Sequence, residues 1–439
     1  MTMVRGVVVP ESLIPPRYDR VDPVAQVYGE PVQDHARDVP ATPDASPSRR
    51  RRGRPGLGRP WWALALVVGV VVVATGLLPR PEATALAERT GPVLLFLAAL
   101  TVVSELCAGA GLFAAAAGLA ARVAAGRRWL LWVLVVVLAT LSTAVLSLDT
   151  TAVLLTPVVI ALARRTGTSP LPFALAVVAL ANTASLVLPV SNLTNLLADH
   201  ALRAAGGSFL ALMWAPALAA ILVTVAVLGV RDRRELRGRY ETPPAPEAPD
   251  PALLRIAAVV VAVMALAFVL GVEPAVAATV AAVALLVATR VRRRPLPVPA
   301  GDLVPWRTLV VVAALFVVVA ALRPLGEGLT VAAGTGDGPL DLLRLAAVAA
   351  LASNAVNNLP AFLALDPAVA GEPLRIAALL IGSGVAPIMT PWGSLATVLW
   401  WQRCRQAMLE VPLRTLVRQG LVLAPLALLA SVGALVLVG

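Results

Sequence analysis

Residues 188–195 read "LPVSNLTN" inside a run that is otherwise leucine, alanine and valine. A helix facing lipid loses free energy for every such asparagine, serine or threonine, because hydrocarbon offers no hydrogen-bond partner. The second half of the chain repeats the phrase as "PWGSLAT" (391–397). Aligned, Pro189 meets Pro391, Ser191 meets Gly393, Asn192 meets Ser394 and Asn195 meets Thr397. Proline withdraws a backbone donor, and glycines 382, 384 and 393 relax the backbone. The two phrases therefore mark places where membrane helices are interrupted.

The composition supports this setting. Of 439 residues, 59% are hydrophobic and only 14% are charged. Long apolar runs recur from residue 61 onward, without the alternation of a β-barrel. The fold class expected is an all-α polytopic membrane protein. The net charge of +11 comes from arginine alone. These arginines cluster between apolar runs, as topology signals do, and no reading motif accompanies them, which argues against nucleic acid as a partner. Cys107 and Cys404 are too few for a disulfide framework, and His35 and His200 are isolated, so no metal or cofactor is expected.

Residues 1–58 are polar and proline-rich and read as a disordered cytoplasmic tail. "RRRRGR" (49–54) before the first apolar run, 61–79, reads as the cytoplasmic flank of a signal anchor. Further spans are expected at 91–107, 170–198, 208–230, 252–271, 274–289, 304–322, 374–399 and 419–438. Counting crossings from a cytoplasmic N-terminus places the arginine clusters inside, including Arg122, Arg127, Arg128, Arg164, Arg165, Arg231–Arg239, Arg403 and Arg405. Single arginines such as Arg80, Arg89 and Arg375 fall outside. Trp61, Trp62, Trp129, Trp306, Trp400 and Trp401 lie at run ends, as interfacial anchors do.

Two runs do not alternate. Residues 129–163 are flanked on both sides by arginine pairs, and 341–365 lie between two external segments. Each reads as a re-entrant hairpin, the first opening inward and the second outward. Their middles are polar, "SLDTTA" (147–152) and "SNAVNNLPA" (353–361), with "LDTTA" set against "NNLPA". Two opposed hairpins, each followed by an over-long span with a polar centre, describe an inverted repeat with a midplane site. The expected organisation is a first repeat at 59–230, a cytoplasmic linker at 231–251, and a linker helix plus second repeat at 252–439, with two re-entrant hairpins and two broken transmembrane helices.

A broken helix exposes N–H groups at one end and carbonyls at the other, which suits a small polar solute with a coupling cation. Thr140, Ser142 and Thr143 read as bonds between helices. Asp149 is the acid placed deep in a hairpin; either it carries a proton during transport or it caps a half-helix N-terminus. Glu105 reads as a solvated end residue, and Cys107 as packing. An intramembrane aspartyl protease needs a second membrane aspartate, and the position set against Asp149 holds Asn358.

"LTPVVIALA" (155–163), "NTASLVLPVSNLTNLL" (182–197), "NAVNNLPA" (354–361) and above all "IGSGVAPIMTPWGSLATVLW" (381–400) resemble the arsenical-pump membrane permeases of the wider ion-transporter superfamily. That resemblance covers about residues 60–439. It implies a secondary transporter of the cytoplasmic membrane, not an enzyme, exporting arsenite or antimonite as an oxyacid, driven by protons or by an ATPase subunit. Related carriers move dicarboxylates, citrate or sulfate, or exchange sodium for protons. Partners implied are thus the oxyacid or another anion, a proton or sodium ion, lipid, and in some members a second copy of the chain. One side of the site would be lined by Asp149, Thr150, Thr151, Asn182, Ser191, Asn192, Thr194 and Asn195. The other would be lined by Asn354, Asn357, Asn358, Gly382, Ser383, Thr390, Gly393, Ser394 and Thr397. The chain departs from the family pattern at Leu148 and Gly384, where the family often has an asparagine and an acid.

Overall fold

The computed structural model of the chain describes residues 61–244, 247–322, 327–369 and 371–439. The expected tail at 1–58 lies outside them. The described residues are almost wholly helical, and among them nine helices are long and apolar enough to cross a membrane.

The first half begins with α1 (Trp61–Ala74) and α2 (Arg80–Gly109). Next come a short α3 (Leu112–Val123) and the hairpin, formed by α4 (Arg128–Leu146), α5 (Leu148–Thr150), a π turn (Thr151–Leu155) and α6 (Thr156–Arg165). The broken helix follows as α7 (Pro170–Thr183), two 3-10 turns (Ala184–Val187 and Pro189–Ser191) and α8 (Leu193–Ala204), and α9 (Phe209–Asp232) closes the half. After the linker come α10 (Pro251–Val269), α11 (Pro274–Val291), α12 (Ala300–Leu303), α13 (Trp306–Ala321) and α14 (Glu327–Ala333). The second hairpin is α15 (Pro339–Val356) with α16 (Asn358–Leu365), and the second broken helix is α17 (Pro373–Val385) with α18 (Leu395–Gln406). The chain ends in α19 (Leu413–Val438).

Burial explains why the backbone breaks where it does. In the window Pro170–Val187, 83% of residues are buried, against 22% for Pro251–Val269. Freed carbonyls and N–H groups are tolerated at membrane depth only inside protein, and the broken helix is the segment most enclosed by it. The halves correspond in their packing. Each hairpin lies on the first part of its own broken helix, α4 on α7 and α15 on α17. Each also meets the second part of the other half's broken helix: α18 runs along the π turn, α6 and α7, while α8 meets α16 and α17. Helices α9 and α19 pack on each other, with Ser431 Oγ donating to Pro216 O at 3.0 Å. The linker helices lie outside, where Phe96 of α2 meets Phe268 edge-on at 6.2 Å and Trp62 meets Trp306 at 4.8 Å.

Several expectations are corrected. Helix α2 starts at Arg80 rather than 91, so Arg80, Glu82 and Arg89 ride on it. Residues 112–123, which lie between the expected spans, form α3. Trp400 is no interfacial anchor: it is fully buried, and its Nε1 donates to Ala174 O at 2.8 Å, joining the halves. Arg375 is also buried, donating to the carbonyls of Gly334, Gly336 and Ala368. Its five donors satisfy loop carbonyls that hydrocarbon would leave bare.

Asp250 anchors the linker. Its carboxylate caps α10 through the N–H groups of Ala252 and Leu253, and accepts from Arg292 at 3.0 Å and Arg294 at 3.2 Å. The Arg292 hydrogen bond, followed by the cap N–H of Leu253, holds the carboxyl well below the usual carboxylate range. A depressed folded-state pKa contributes stability that is complete above the unfolded value, ~3.9, and lost as pH falls through the folded one. Asp250→Asn is therefore expected to lower the melting temperature of the detergent-solubilised protein at pH 7. That deficit should shrink once pH falls below about 4, where wild type begins to lose the same contribution. A deficit that stays constant with pH would show that the cap matters and the charge does not.

Candidate functional site

The hairpin tip is built around a strained residue. Helix α4 ends at Leu146, and Ser147 takes φ 81°, ψ 161°, a region otherwise almost confined to glycine. The second hairpin turns in the same way at Asn357, with φ 139°, ψ 156°. Each such residue costs on the order of 1–3 kcal/mol, and such strain collects at functional sites. Serine and asparagine are kept there because they cap the helix that follows. Ser147 Oγ accepts from Thr150 N at 3.4 Å, and Asn357 Oδ1 accepts from Leu359 N at 3.4 Å. The equivalent residues are thus Ser147 and Asn357, one register step from the expected pairing of Leu148 with Asn357. Asp149 consequently corresponds to Leu359, not Asn358.

Beyond Ser147 the helix passes into a π turn, a feature frequent at functional sites. Thr151 sits inside this turn and is fully buried. It donates to Ser142 Oγ at 2.8 Å and accepts from Thr143 at 3.2 Å. Ser142 and Thr143 bond within the hairpin, while Thr140 Oγ1 is buried without a partner.

In the first broken helix, Leu188 and Asn192 are extended and frame the Pro189–Ser191 turn. Proline cannot supply the N–H a continuous helix needs. The freed carbonyls are met by side chains: Asn195 Nδ2 donates to Ser185 O at 2.6 Å and to Leu188 O at 3.1 Å, and Ser185 Oγ donates to Asn182 O at 2.6 Å. Ser191 Oγ donates to Ala144 O at 3.0 Å and ties the break to the hairpin. Asn192 caps α8 through Thr194 N.

Hairpin tip and break together close a cavity of about 50 Å³ against α2. Ser147, Leu148, Asp149 and Thr150 line it from the hairpin, Val190, Asn192 and Leu193 from the break, and Phe96, Leu97, Leu100 and Thr101 from α2. Thr150 is held from two sides, at 3.1 Å by Ser104 Oγ of α2 and at 3.3 Å by Ser147. Asp149 Oδ1 and Asn192 Nδ2 are buried without a hydrogen-bond partner. Leaving a buried polar atom unmet costs about 1–3 kcal/mol, so these atoms are poised for a ligand or water. The orphans extend into the break, to Asn182 Oδ1, Asn195 Oδ1 and Thr194 Oγ1.

The second repeat is different. Asn354 Nδ2 donates to Ala350 O and Ala386 O, both at 2.8 Å, and its Oδ1 accepts from Met389 N and Thr390 N. Thr390 Oγ1 donates to Asn354 O at 2.9 Å. Asn357 Nδ2 donates to Trp392 O at 2.9 Å, and Asn358 N to Gly393 O at 2.9 Å. Ser394 caps α18 through Thr397 N, and Ser383 bonds back to Leu379 O at 2.8 Å. Gly382 lies where α17 crosses α15, against Ala346 and Ala349. Asn354, Asn357, Asn358 and Thr390 fasten the 386–394 loop, Ser353 Oγ is buried without a partner among the described residues, and none of these residues lines the cavity. The structure therefore brings together Asp149, Thr150 and Asn192, and adds Ser147, Thr101 and the apolar wall of α2, which the sequence reading missed. The signal for α2 was present in "TVVSE" (101–105), where three polar residues interrupt an apolar run.

Comparison with known proteins identifies relatives of the chain. A family model described as "Citrate transporter" matches residues 53–397. The chain is 30% identical over 365 residues to an arsenical pump membrane protein of Yersinia enterocolitica, covering 77% of this chain and 84% of that one. It is 28% identical over 416 residues to an arsenical pump membrane protein of Escherichia coli, covering 87% and 94%. Its fold is similar to that of the Alcanivorax borkumensis YdaH transporter, whose crystal structure is described as having an unusual topology. There the TM-score is 0.54 and the identity 17%, over 85% of this chain and 96% of that one. The chain is a multi-pass membrane transporter that belongs to the family described as citrate transporters and is a relative of the arsenical pump membrane proteins.

Proposed function

We propose that this transporter exports arsenite- or antimonite-type oxyacids across the cytoplasmic membrane by alternating access, exchanging each solute for protons at Asp149. In this reading the two hairpins are re-entrant and the two halves lie inverted in the bilayer. The observation that carries it is the cavity where Asp149 Oδ1 and Asn192 Nδ2 stand unpartnered beside the Thr150 hydroxyl. An undissociated oxyacid with several hydroxyls needs both acceptors and donors, and these three groups offer both. A volume of about 50 Å³ suits a solute of a few heavy atoms.

A carrier for a multiply charged carboxylate is the second reading, favoured by the family description. The cavity lining holds a carboxylate and no cationic side chain, an arrangement that disfavours a polyanion.

The test is growth of an efflux-deficient bacterium expressing the chain on arsenite, antimonite, citrate and high sodium. Wild type is expected to raise arsenite and antimonite tolerance alone. Asn192→Ala should weaken apparent affinity about tenfold, the order expected for one lost hydrogen bond to a desolvated ligand. Citrate uptake or sodium tolerance with unchanged arsenite sensitivity would move the assignment to the second reading.

A further inference from the structure

Glu105 remains unexplained by the transport site. It lies within α2, three turns into an apolar stretch, and is half-buried. Among the described residues no hydrogen bond fixes its carboxylate, and such a group is costly in a membrane helix unless it has work to do. It follows Thr101, which lines the cavity, by one helical turn, a rise of about 6 Å. Helical side chains lean toward the N-terminus of their helix, so the Glu105 carboxylate leans back toward Thr101 and the cavity. The preceding residue, Ser104, is hydrogen-bonded at 3.1 Å to Thr150, the immediate neighbour of Asp149. Going the other way, α2 ends at Gly109, beside the arginine-rich segments around Arg122 and Arg127. That is the face the positive-inside asymmetry makes cytoplasmic.

Charged and titratable groups on the elements packed against α2 are Arg122 on α3, Asp199, His200 and Arg203 on α8, Arg255 on α10, Arg290 on α11, Asp302 on α12 and Arg307 on α13. Burial dominates the surroundings of Glu105, and Arg403 on α18 is the charge that acts on it. It belongs to the second half of the molecule, whereas Glu105 belongs to the first.

We propose that Glu105 is the proton-exchange group on the cytoplasmic side of the site. It accepts the proton that Asp149 gives up, carried by water from the cavity, and releases it to the cytoplasm. One O–H bond breaks at Asp149 and one forms at Glu105, so no other reactant is needed. The inference rests on proton-coupled export at Asp149.

The test uses full-length protein in inside-out vesicles, with arsenite uptake measured under an imposed proton gradient and arsenite exchange measured without one. Glu105→Gln is expected to lose at least tenfold in gradient-driven accumulation while exchange stays within about twofold of wild type. Glu105→Asp should restore most of the accumulation, with a displaced dependence on cytoplasmic-side pH. Glu105→Gln with wild-type accumulation and pH profile would overturn the role of Glu105 alone. Equal loss of exchange and accumulation in both variants would overturn it too, by making Glu105 a structural or binding residue. Wild-type transport indifferent to the proton gradient would remove the coupling at Asp149, and this inference with it.

Discussion

Asp149→Asn is expected to reduce arsenite export to background, leaving an efflux-deficient host as sensitive as one carrying no transporter. The amide keeps the shape of the carboxylate but cannot take up and release a proton. It also puts a donor where the cavity presents an acceptor. The side chain is enclosed, with Oδ1 unpartnered, so no water-exposed neighbour can substitute for it. Stability should move the other way. A charge at membrane depth costs roughly 2.5–3.5 kcal/mol on insertion scales, so neutralising it should leave melting temperature unchanged or raised. Loss of export with undiminished stability is the signature of a group retained for function at the expense of the fold. Membrane-fraction immunoblots and melting curves in detergent would accompany the resistance assay. Half or more of wild-type resistance in Asp149→Asn would exclude this carboxylate as the coupling group. A large fall in stability would instead favour its other reading, a fixed helix cap.

Gly382→Ala is expected to damage the fold itself, by about 1–3 kcal/mol or more. A methyl group there would run into the Ala346 carbonyl and come within 2.7 Å of the Ala349 methyl. The obstacle is helix backbone, which cannot move aside without separating α15 from α17. Gly384→Ala, two residues along, is the internal control. Its nearest neighbour is Leu186 Cδ2 at 3.0 Å, the far end of a side chain that can rotate. We expect Gly382→Ala to give a lower melting temperature and aggregated material on size exclusion, while Gly384→Ala stays close to wild type. If both variants melted alike, the close crossing of α15 and α17 would not be a constraint on this protein. Gly420→Ala belongs with Gly382, since its methyl would meet the Ile388 carbonyl and Met389 Cα at 2.6 Å.

These glycines illustrate what the sequence could and could not convey. "IGSGVAPIMTPWGS" was legible as a break, because glycine and proline together cannot sustain a membrane helix. Whether each glycine faces a solute or a neighbouring backbone depends on a crossing between helices remote in sequence. Gly382 belongs to the crossing. Asn354 shows the same limit. Its place in a polar hairpin suggested a ligand, yet the structure spends its amide on one carbonyl of its own helix and on one carbonyl and two N–H groups of the 386–394 loop. Trp400 was misread because aromatic residues at run ends normally sit at an interface. Here the second part of the broken helix is drawn inward against α7, and the indole follows it.

By itself the sequence determined the helical class, the two interruptions and their pairing between halves. Apolar run length, arginine placement and proline are properties of short stretches, and the bilayer acts on short stretches. Only the tertiary structure decided which polar atoms are already satisfied. It fastened Asn354, Asn357 and Thr390 of the second half to backbone carbonyls and N–H groups, and left Asp149 and Asn192 facing a cavity walled by α2. A hydrogen bond consumes a donor and an acceptor wherever they lie along the chain. The partner that decides a residue's role was therefore often on another helix, out of reach of any local pattern.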